Sequence, residues 1–477
     1  MKKTLSIVFI ALCLVVCIVP SVGLLGSSGS ESIGNETKAT PPQLQNSDGS
    51  FNTQFLPEMG AYFEKVFAFR PQAITADAEI QANVFGVSNV DSVVVGTDGW
   101  LYYASTLDDY LGRNTLTDVQ VAGVVHNLSL IQRYVESTGA RFMFTIAPNK
   151  NTLYPGHMPY YYDQRVSNVR NRDLVRDALA QSDVRYYDLF RLFEEQEETL
   201  YFKRDSHWNN KGALLAYNEL LSALGKQHDD YAAATVERRQ DFVGDLDAMV
   251  FPAAPSKEYN YDYGAEKRYS YVTPTQSVED PTIRTENQAA TGSLYMYRDS
   301  FGNALLPFFA SAYRNAHFTK SFPMILEYDL RADKPDAVLF ELAERNISWL
   351  IKSPPIVESP KVTGVTAQSA QPQSVKLSLQ ECPSSPLYLQ LSGTMDCTGQ
   401  EGRPVVYVAL SDARGKHAVY ECFDYLSEDG SDGFLAYLNA DEYGASEELT
   451  VSVIVKSKAG ITEVCSGTVK IGDSDEN

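Results

Sequence analysis

Two hydrophobic periods alternate along residues 52–350, and this alternation restricts the fold more than any other feature. Residues 119–138 repeat apolar side chains at helical spacing: Val121, Val124, Val125, Leu128, Leu130, Ile131 and Tyr134. Residues 141–147 then read as a buried strand, with Phe142, Met143, Phe144 and Ile146, that stops at Pro148. Residues 173–180 are helical, 184–189 strand-like, 210–224 strongly helical and 336–341 strand-like. Strands alternating with helices predict an α/β fold: a largely parallel sheet with helices on both faces.

The texture changes at Ser353. Ser353-Pro354-Pro355 and Ser359-Pro360 make a breaker-rich hinge. Short alternating runs follow at 375–379, 387–391, 405–410, 418–423, 434–438, 449–455 and 464–471, with turn residues between them. This spacing predicts a C-terminal antiparallel β-sandwich over 361–477, in a carbohydrate-binding or spacer role. Cys382, Cys397, Cys422 and Cys465 all fall in this region. An oxidising compartment would allow one or two disulfides among them, and the sequence does not choose a pairing. No CxxC pair or neighbouring His pattern marks a zinc site.

Lys2 and Lys3 precede an uncharged run from Leu5 to Leu25. Residues 1–25 are therefore expected to be either a membrane anchor with its basic end in the cytoplasm or a cleaved secretory signal. Either one exports the rest of the chain. Residues 26–52, rich in Ser, Gly, Thr, Pro and Gln, read as a flexible linker. The formal net charge of −21 leaves no basic stripe to neutralise phosphates and excludes nucleic acid as a partner.

The chemistry gathers in two places. Asp205-Ser206-His207-Trp208-Asn209 follows the apolar cluster Leu200-Tyr201-Phe202 and precedes a helix that Asn209 or Asn210 would cap. Asp299-Ser300-Phe301-Gly302 follows the strand-like run Ser293-Leu294-Tyr295-Met296-Tyr297. Asp, His and Ser are what a hydroxyl nucleophile requires: the imidazole takes the Ser proton and the carboxylate fixes its tautomer. In extended geometry residues 205 and 207 point the same way. Ser300 would sit among the free N–H groups of a helix start, which suit an oxyanion. The bland alternatives are a helix cap for Asp205 and for Ser300, with His207 on the surface. Asn149 and Lys150 follow a strand end and belong at the same sheet edge. Asn149 can donate to an oxyanion, and Lys150 can attract an anionic sugar. Asp98-Gly99-Trp100 reads as a tight turn that buries Trp100. No metal or cofactor is expected, because the base is a side chain without a ligand cluster.

Taken together, Asp205-Ser206-His207-Trp208, Asp299-Ser300-Phe301 and Asp98-Gly99-Trp100-Leu101-Tyr102-Tyr103 resemble the alginate O-acetyltransferase family of AlgX and AlgJ type, in its DHHW branch. The run from Ile146 to Pro155, Pro335-Asp336 to Glu341, and Glu344-Arg345-Asn346 fit that branch as well. The resemblance covers about residues 53–352. It implies an SGNH-hydrolase-like, flavodoxin-like catalytic domain in permuted order, with Ser300, His207 and Asp205 as the triad. It further implies a cell-surface polysaccharide as substrate and a membrane-bound O-acyltransferase as acyl donor. Ser206 stands where DHHW proteins have a first His, and Arg298 where SGNH enzymes have Gly, which makes Arg298 a further oxyanion or substrate-binding candidate. The expected activity is extracytoplasmic O-acyl transfer or ester cleavage. The rival expectation is a non-catalytic polysaccharide-binding scaffold that retains the fold.

Overall fold

The computed structural model describes residues 2–23, 39–369, 375–395, 404–444, 448–458 and 460–472. Residues 26–38 of the expected linker lie outside this set, as does Cys397. The first helix, α1, spans Lys2–Gly23. Among the described residues no helix is long and apolar enough to cross a membrane.

The centre is a seven-stranded sheet. Its strands, in chain order, are β1 (Arg141–Ala147), β2 (Tyr186–Tyr187), β3 (Ser270–Tyr271), β4 (Thr282–Glu286), β5 (Ser293–Tyr297), β6 (Asn315–Thr319) and β7 (Ala337–Ala343). They lie in the order β2-β1-β7-β5-β6-β4-β3. The first five positions are parallel, and β4 and β3 close one edge antiparallel. The parallel part is the expected α/β sheet. Its antiparallel edge was not visible, because short polar strands such as β3 carry no periodic signal.

Alternate residues of each strand face opposite cores. Phe142, Phe144 and Ile146 of β1 and Val338, Phe340 and Leu342 of β7 pack on one side. Met143 and Ala147 with Ala337, Leu339 and Ala343 pack on the other. The first face is covered by α2 (Asp118–Ser137), whose buried stripe includes Val121, Val124, Leu128 and Ile131. Thr117 caps α2 in a reciprocal capping box with Gln120. The second face is covered by α3 (Asn210–Ala223) and α4 (Gly302–Ala312).

The C-terminal strands form two facing sheets. The four-stranded one joins β8 (Lys376–Glu381), β9 (Tyr388–Thr394), β12 (Phe423–Leu426) and β13 (Asp432–Asn439) in the order β8-β9-β13-β12, all antiparallel. The six-stranded one is built on β10 (Val405–Asp412), β11 (His417–Glu421), β14 (Leu449–Ser457) and β15 (Gly460–Val469). Leu391, Ala436 and Leu438 face the sandwich core. Tyr388, Leu435 and Tyr437 face the other way, into the same core as α2 and the central sheet. The four-stranded sheet is thus buried on both faces, and the apolar core runs unbroken across the Ser353–Pro360 hinge.

Polar contacts tighten the junction. The fully buried Asn127 on α2 donates to the carbonyls of Leu350 and Asp424, both at 2.8 Å, and accepts from the Asp424 N–H at 2.8 Å. His126 sits between Asp424 Oδ2 at 2.8 Å and Glu421 Oε1 at 2.9 Å, while Arg133 reaches Glu421 at 2.9 Å. Both imidazole nitrogens face carboxyl oxygens. Burial would raise the Glu421 carboxyl, but His126 and Arg133 outweigh it and hold it down at about 2. Of the C-terminal cysteines, Cys382 is a buried free thiol, Cys465 is a half-buried free thiol and Cys422 is buried.

Ending the chain after Ser359 should expose the α2 face and orphan the amide of Asn127. The shortened protein is expected to melt at a lower temperature than the full chain, or to self-associate, in thermal unfolding and gel filtration. Equal melting temperatures would show the two regions to be independent. Because the Glu421 carboxyl is depressed in the fold, its stabilisation is present above the ordinary Glu range and is lost as pH falls towards about 2. Glu421→Gln should flatten that part of the acid unfolding curve.

Candidate active site

Every segment of interest lies past the carboxyl ends of the parallel strands, where open α/β sheets place ligands. β5 delivers Arg298-Asp299-Ser300. The turn is fastened by Asp299, whose Oδ1 accepts from the Phe301 N–H at 2.9 Å. Its Oδ2 accepts from the Ala343 N–H at 2.7 Å and from the Asn346 amide at 3.0 Å. Its own N–H donates to Glu341 at 3.1 Å. α4 starts at once, and Gly302 is required there: a Cβ would come within 2.6 Å of the Arg298 Cβ. Ser300 is left half-buried at the edge of the sheet.

His207 completes the arrangement. Its Nε2 lies 2.8 Å from Ser300 Oγ, and its Nδ1 lies 2.8 Å from Asp205 Oδ1. Nδ1–H therefore donates to Asp205 and Nε2 faces the serine hydroxyl. The ring packs edge-on against Phe301 with centroids 4.8 Å apart, and the Trp208 indole N–H donates to the Phe301 carbonyl at 3.1 Å. These contacts lock the two loops together. Asn209 caps α3 through the N–H groups of Lys211 and Gly212, one of the two caps expected.

Asp205 is almost fully buried, and its acceptors are all used. Oδ1 also takes the His207 N–H at 2.8 Å, and Oδ2 takes the Asp245 N–H at 2.8 Å. Burial would raise its carboxyl, but the charge and hydrogen bond of His207, with the bond from Asp245, hold it well below the usual range. The imidazole is moved the other way. Burial favours its neutral form, yet Asp205 and then Asp245 raise it above the ordinary histidine value. Asp245 accepts from the Ser206 N–H at 2.9 Å and the Ser206 hydroxyl at 2.6 Å. Gly244 precedes it because a Cβ there would meet the Arg204 carbonyl at 2.2 Å. Asp205, His207 and Asp245 bring three ligand-type atoms within 4.8 Å of one another. Within the cluster Asp205 bonds His207 while the Asp245 carboxylate bonds Ser206.

The other sequence candidates separate. Lys150 does not face solvent, against the expectation of an anionic-sugar contact. It is buried, and its ammonium donates to the carbonyls of Phe202 at 3.1 Å, Lys203 at 2.9 Å and Asp205. It also lies over the rings of Tyr102 and Trp100. Burial pushes its pKa down to about 8, against the pull of Asp205, Asp245 and Glu258. Lys150 is thus a positioning residue for the Asp205 loop. Arg298 also departs from expectation: its guanidinium is buried and donates to Asn303 and to the carbonyls of Val278 and Asp280. Asn149 is 1% exposed, and its amide has no hydrogen-bond partner among the described residues. Its N–H donates to Glu344 at 2.8 Å. Trp100 is buried as expected, behind a turn with Asp98 and Gly99 at positive φ. His126, His157 and His317 each meet a carboxylate.

Two residues escaped the sequence reading. Asp245 is remote from the Asp205 motif and carries no local signal. Arg345 entered only as part of the resemblance. Its guanidinium lies over the rings of Phe301 and Tyr103, 5.7 and 5.5 Å from their centroids, and its charge reaches His207.

Lys150→Met should leave three carbonyls without their donor, at a cost of about 1–3 kcal/mol for each that stays buried. The expected result is a lower denaturation midpoint together with loss of the Asp205–His207 register, visible as a shifted His207 imidazole signal in NMR. The sign of the pH effect is also fixed. Between about 8 and the ordinary 10.5 the unfolded chain binds a proton at Lys150 that the fold does not, so stability contributed by this site rises with pH there. The Met variant should lack that rise.

Comparison with known proteins places the same stretch. Residues 93–291 match the family model described as the SGNH hydrolase-like domain of acetyltransferase AlgX. A probable alginate O-acetylase AlgJ from Pseudomonas syringae pv. tomato is 23% identical over 236 residues, 48% of this chain and 54% of that protein. The chain thus spans about half the length of the curated relative it matches. Among solved structures, Bacillus cereus PatB1 aligns with a TM-score of 0.42 at 17% identity, over 54% of this chain and 96% of that one. Pseudomonas aeruginosa AlgX aligns with a TM-score of 0.35 at 14% identity, over 79% and 94%. Over residues 93–291 the chain is thus similar to the SGNH hydrolase-like domain of acetyltransferase AlgX.

Proposed function

We propose that the chain is an extracytoplasmic serine-dependent O-acyltransferase or esterase, acting with acetyl groups on a cell-surface polysaccharide. The observation that carries this reading is the unbroken line Ser300 Oγ–His207 Nε2 and His207 Nδ1–Asp205 Oδ1, with both distances 2.8 Å. Ser300 Oγ attacks the acyl carbonyl and its proton passes to His207 Nε2. Collapse of the tetrahedral intermediate expels the donor alcohol, which takes that proton, and leaves an acyl-serine. An acceptor hydroxyl, from sugar or water, then gives its proton to His207 and attacks the acyl carbon, and the departing Ser300 Oγ takes the proton back from His207. Asp205 holds the imidazole tautomer and steadies the imidazolium.

The unpartnered Asn149 amide, buried at the same sheet edge, is the proposed oxyanion donor, and the Arg345 guanidinium beside Phe301 adds positive charge. Residues 53–352 carry the chemistry in this reading. Residues 361–477 hold or space the polymer, and residues 1–25 export or anchor the chain. A membrane-bound O-acyltransferase is the proposed acyl donor, and the AlgJ relative is by its name an alginate O-acetylase.

A serine-reactive sulfonyl fluoride should add one adduct at Ser300, read by peptide mass spectrometry. An unlabelled Ser300 would leave the non-catalytic scaffold in its place. His207→Ala should abolish cleavage of a small acetyl ester, whereas Ser206→Ala should keep most of it; equal losses would refute His207 as base. Asn149→Ala should lower kcat on the order of 10²-fold with little change in KM.

The base works as neutral imidazole, and Asp205 raises its pKa. Ester cleavage should therefore increase with pH through a midpoint above the ordinary histidine value. Asp205→Asn should lower both that midpoint and the rate. A midpoint at or below the ordinary value would sink the assignment.

A further inference from the structure

A cleft opens along the helix that follows Ser300. One wall is α4, the helix that follows Ser300, through Ala304, Pro307 and Phe308. The other is the antiparallel hairpin Glu237–Val243 and Lys257–Asp262 with the turn after it. That hairpin is fastened to both flanks of the His207 loop. Glu258 accepts from the N–H groups of Lys203 and Arg204, each at 2.8 Å. Beyond the loop, the Asn210 N–H donates to Asn260 at 3.0 Å and the Asn210 amide to the Tyr261 carbonyl at 2.8 Å. The cleft therefore lies between the element that begins at Ser300 and the element locked to His207.

Its lining is aromatic and acidic. Tyr261 and Tyr263 are half-buried and supply rings with hydroxyls at their ends. Asp241, Asp262 and Glu266 supply carboxylates against one cation, Arg239. That cation is already taken: it pairs with Glu237 at 2.7 Å and Asp262 at 2.9 Å. Lys211, over the Tyr261 ring at 4.5 Å, is likewise committed, to Glu198. Asp241 and Glu266 are exposed and form no ion pair among the described residues. The cleft thus presents uncompensated negative charge on a chain whose net charge is −21.

We infer that this cleft seats the acceptor, and that the acceptor is a neutral or amine-bearing hexose polymer rather than a polyuronate. The inference rests on the acyl-transfer reading of the triad. Tyrosine rings stack on the apolar C–H face of a pyranose, and their hydroxyls meet the sugar rim. Free carboxylates accept hydrogen bonds from sugar hydroxyls and attract a sugar amine. A polyuronate brings a negative charge on every residue into a negative cleft, and like-charge contact works against both approach and binding. The substrate class would then differ from that in the name of the AlgJ relative.

The test uses the full chain carrying Ser300→Ala, so that no turnover intervenes, and titrates it calorimetrically with short glucose, glucosamine and uronate oligomers. Glucose and glucosamine oligomers are expected to bind and the uronate oligomer not. Tyr261→Ala in the same background should weaken binding about tenfold, the scale of a buried aromatic anchor. Asp241→Asn, an exposed change that should not disturb folding, should weaken the glucosamine oligomer more than the glucose one. Uronate binding at least as tight as glucose binding, or no binding by any oligomer, would overturn the inference. So would affinities that neither variant changes. Labelling of wild-type Ser300 by the sulfonyl fluoride is read in parallel. A labelled serine with failed binding sinks the cleft alone, whereas an unlabelled serine sinks the triad.

Discussion

A buried ammonium holds the site together. Lys150 follows β1, points inward, and ties down the carbonyls of Phe202, Lys203 and Asp205. Those carbonyls belong to the loop that must place an imidazole within hydrogen-bond reach of Ser300, which comes from another strand. Loop backbone near a sheet edge cannot find ladder partners, so its carbonyls need a donor from elsewhere. A lysine in this position supplies three donors at once. The cost is desolvation of the charge, and the downward shift of its pKa to about 8 registers that cost. Three nearby carboxylates offset it in part, and they are Asp205 and Asp245 of the relay with Glu258 of the hairpin. Loop, relay and cleft wall are therefore coupled through one cation.

A second buried set fixes the serine. Burial and the charge of Asp299 push the Glu341 carboxyl well above the ordinary range. Burial and Asp109 do the same to Glu344, which accepts from the Asn149 N–H and the Thr152 hydroxyl. Protonated acids are far cheaper to bury than carboxylates. They let β7 end in polar groups that face the turns after β1 and β5. The strand reads as a continuous apolar run interrupted by Glu341, and that interruption is where the sheet meets the site.

Much of this was legible in the sequence. β1 occupies residues 141–147 as expected, because its apolar run is bounded by Pro148 and its length suits a strand. α2 and α3 follow from long periodic stripes and identifiable caps. Asp205, His207 and Ser300 were found because the chemistry demands those types and because local spacing aims two of them together. What the sequence hid is long-range. Asp245 approaches Asp205 only through the fold, across a Gly244 whose requirement is a backbone contact with Arg204. Lys150 and Arg298 look like substrate-facing charges because side-chain direction is not encoded in spacing. The Ser353–Pro360 hinge reads as a boundary by composition, yet the strands beyond it alternate apolar residues toward two cores. Leu435 and Tyr437 reach one, Ala436 and Leu438 the other. Periodicity shows that both faces of such a strand are apolar, but not which partner covers each.

That double burial has a mechanical consequence for the site. α2 is clamped between the central sheet and the four-stranded sheet, and Asn127 bonds to both the segment after β7 and the strand at Asp424. The Asp299 turn is in turn fastened to Ala343 and Asn346 at the end of β7. Hydrogen bonds thus tie Asp299 to the end of β7 and, through Asn127, Leu350 to Asp424. Rigid packing of this kind resists small displacements, because close-packed interiors transmit strain rather than absorb it. On the proposed acyl-transfer reading, a serine held 2.8 Å from His207 gains from such a support, since catalytic geometry tolerates errors of well under about 1 Å. The sandwich is therefore linked, through α2 and the end of β7, to the turn that carries Ser300.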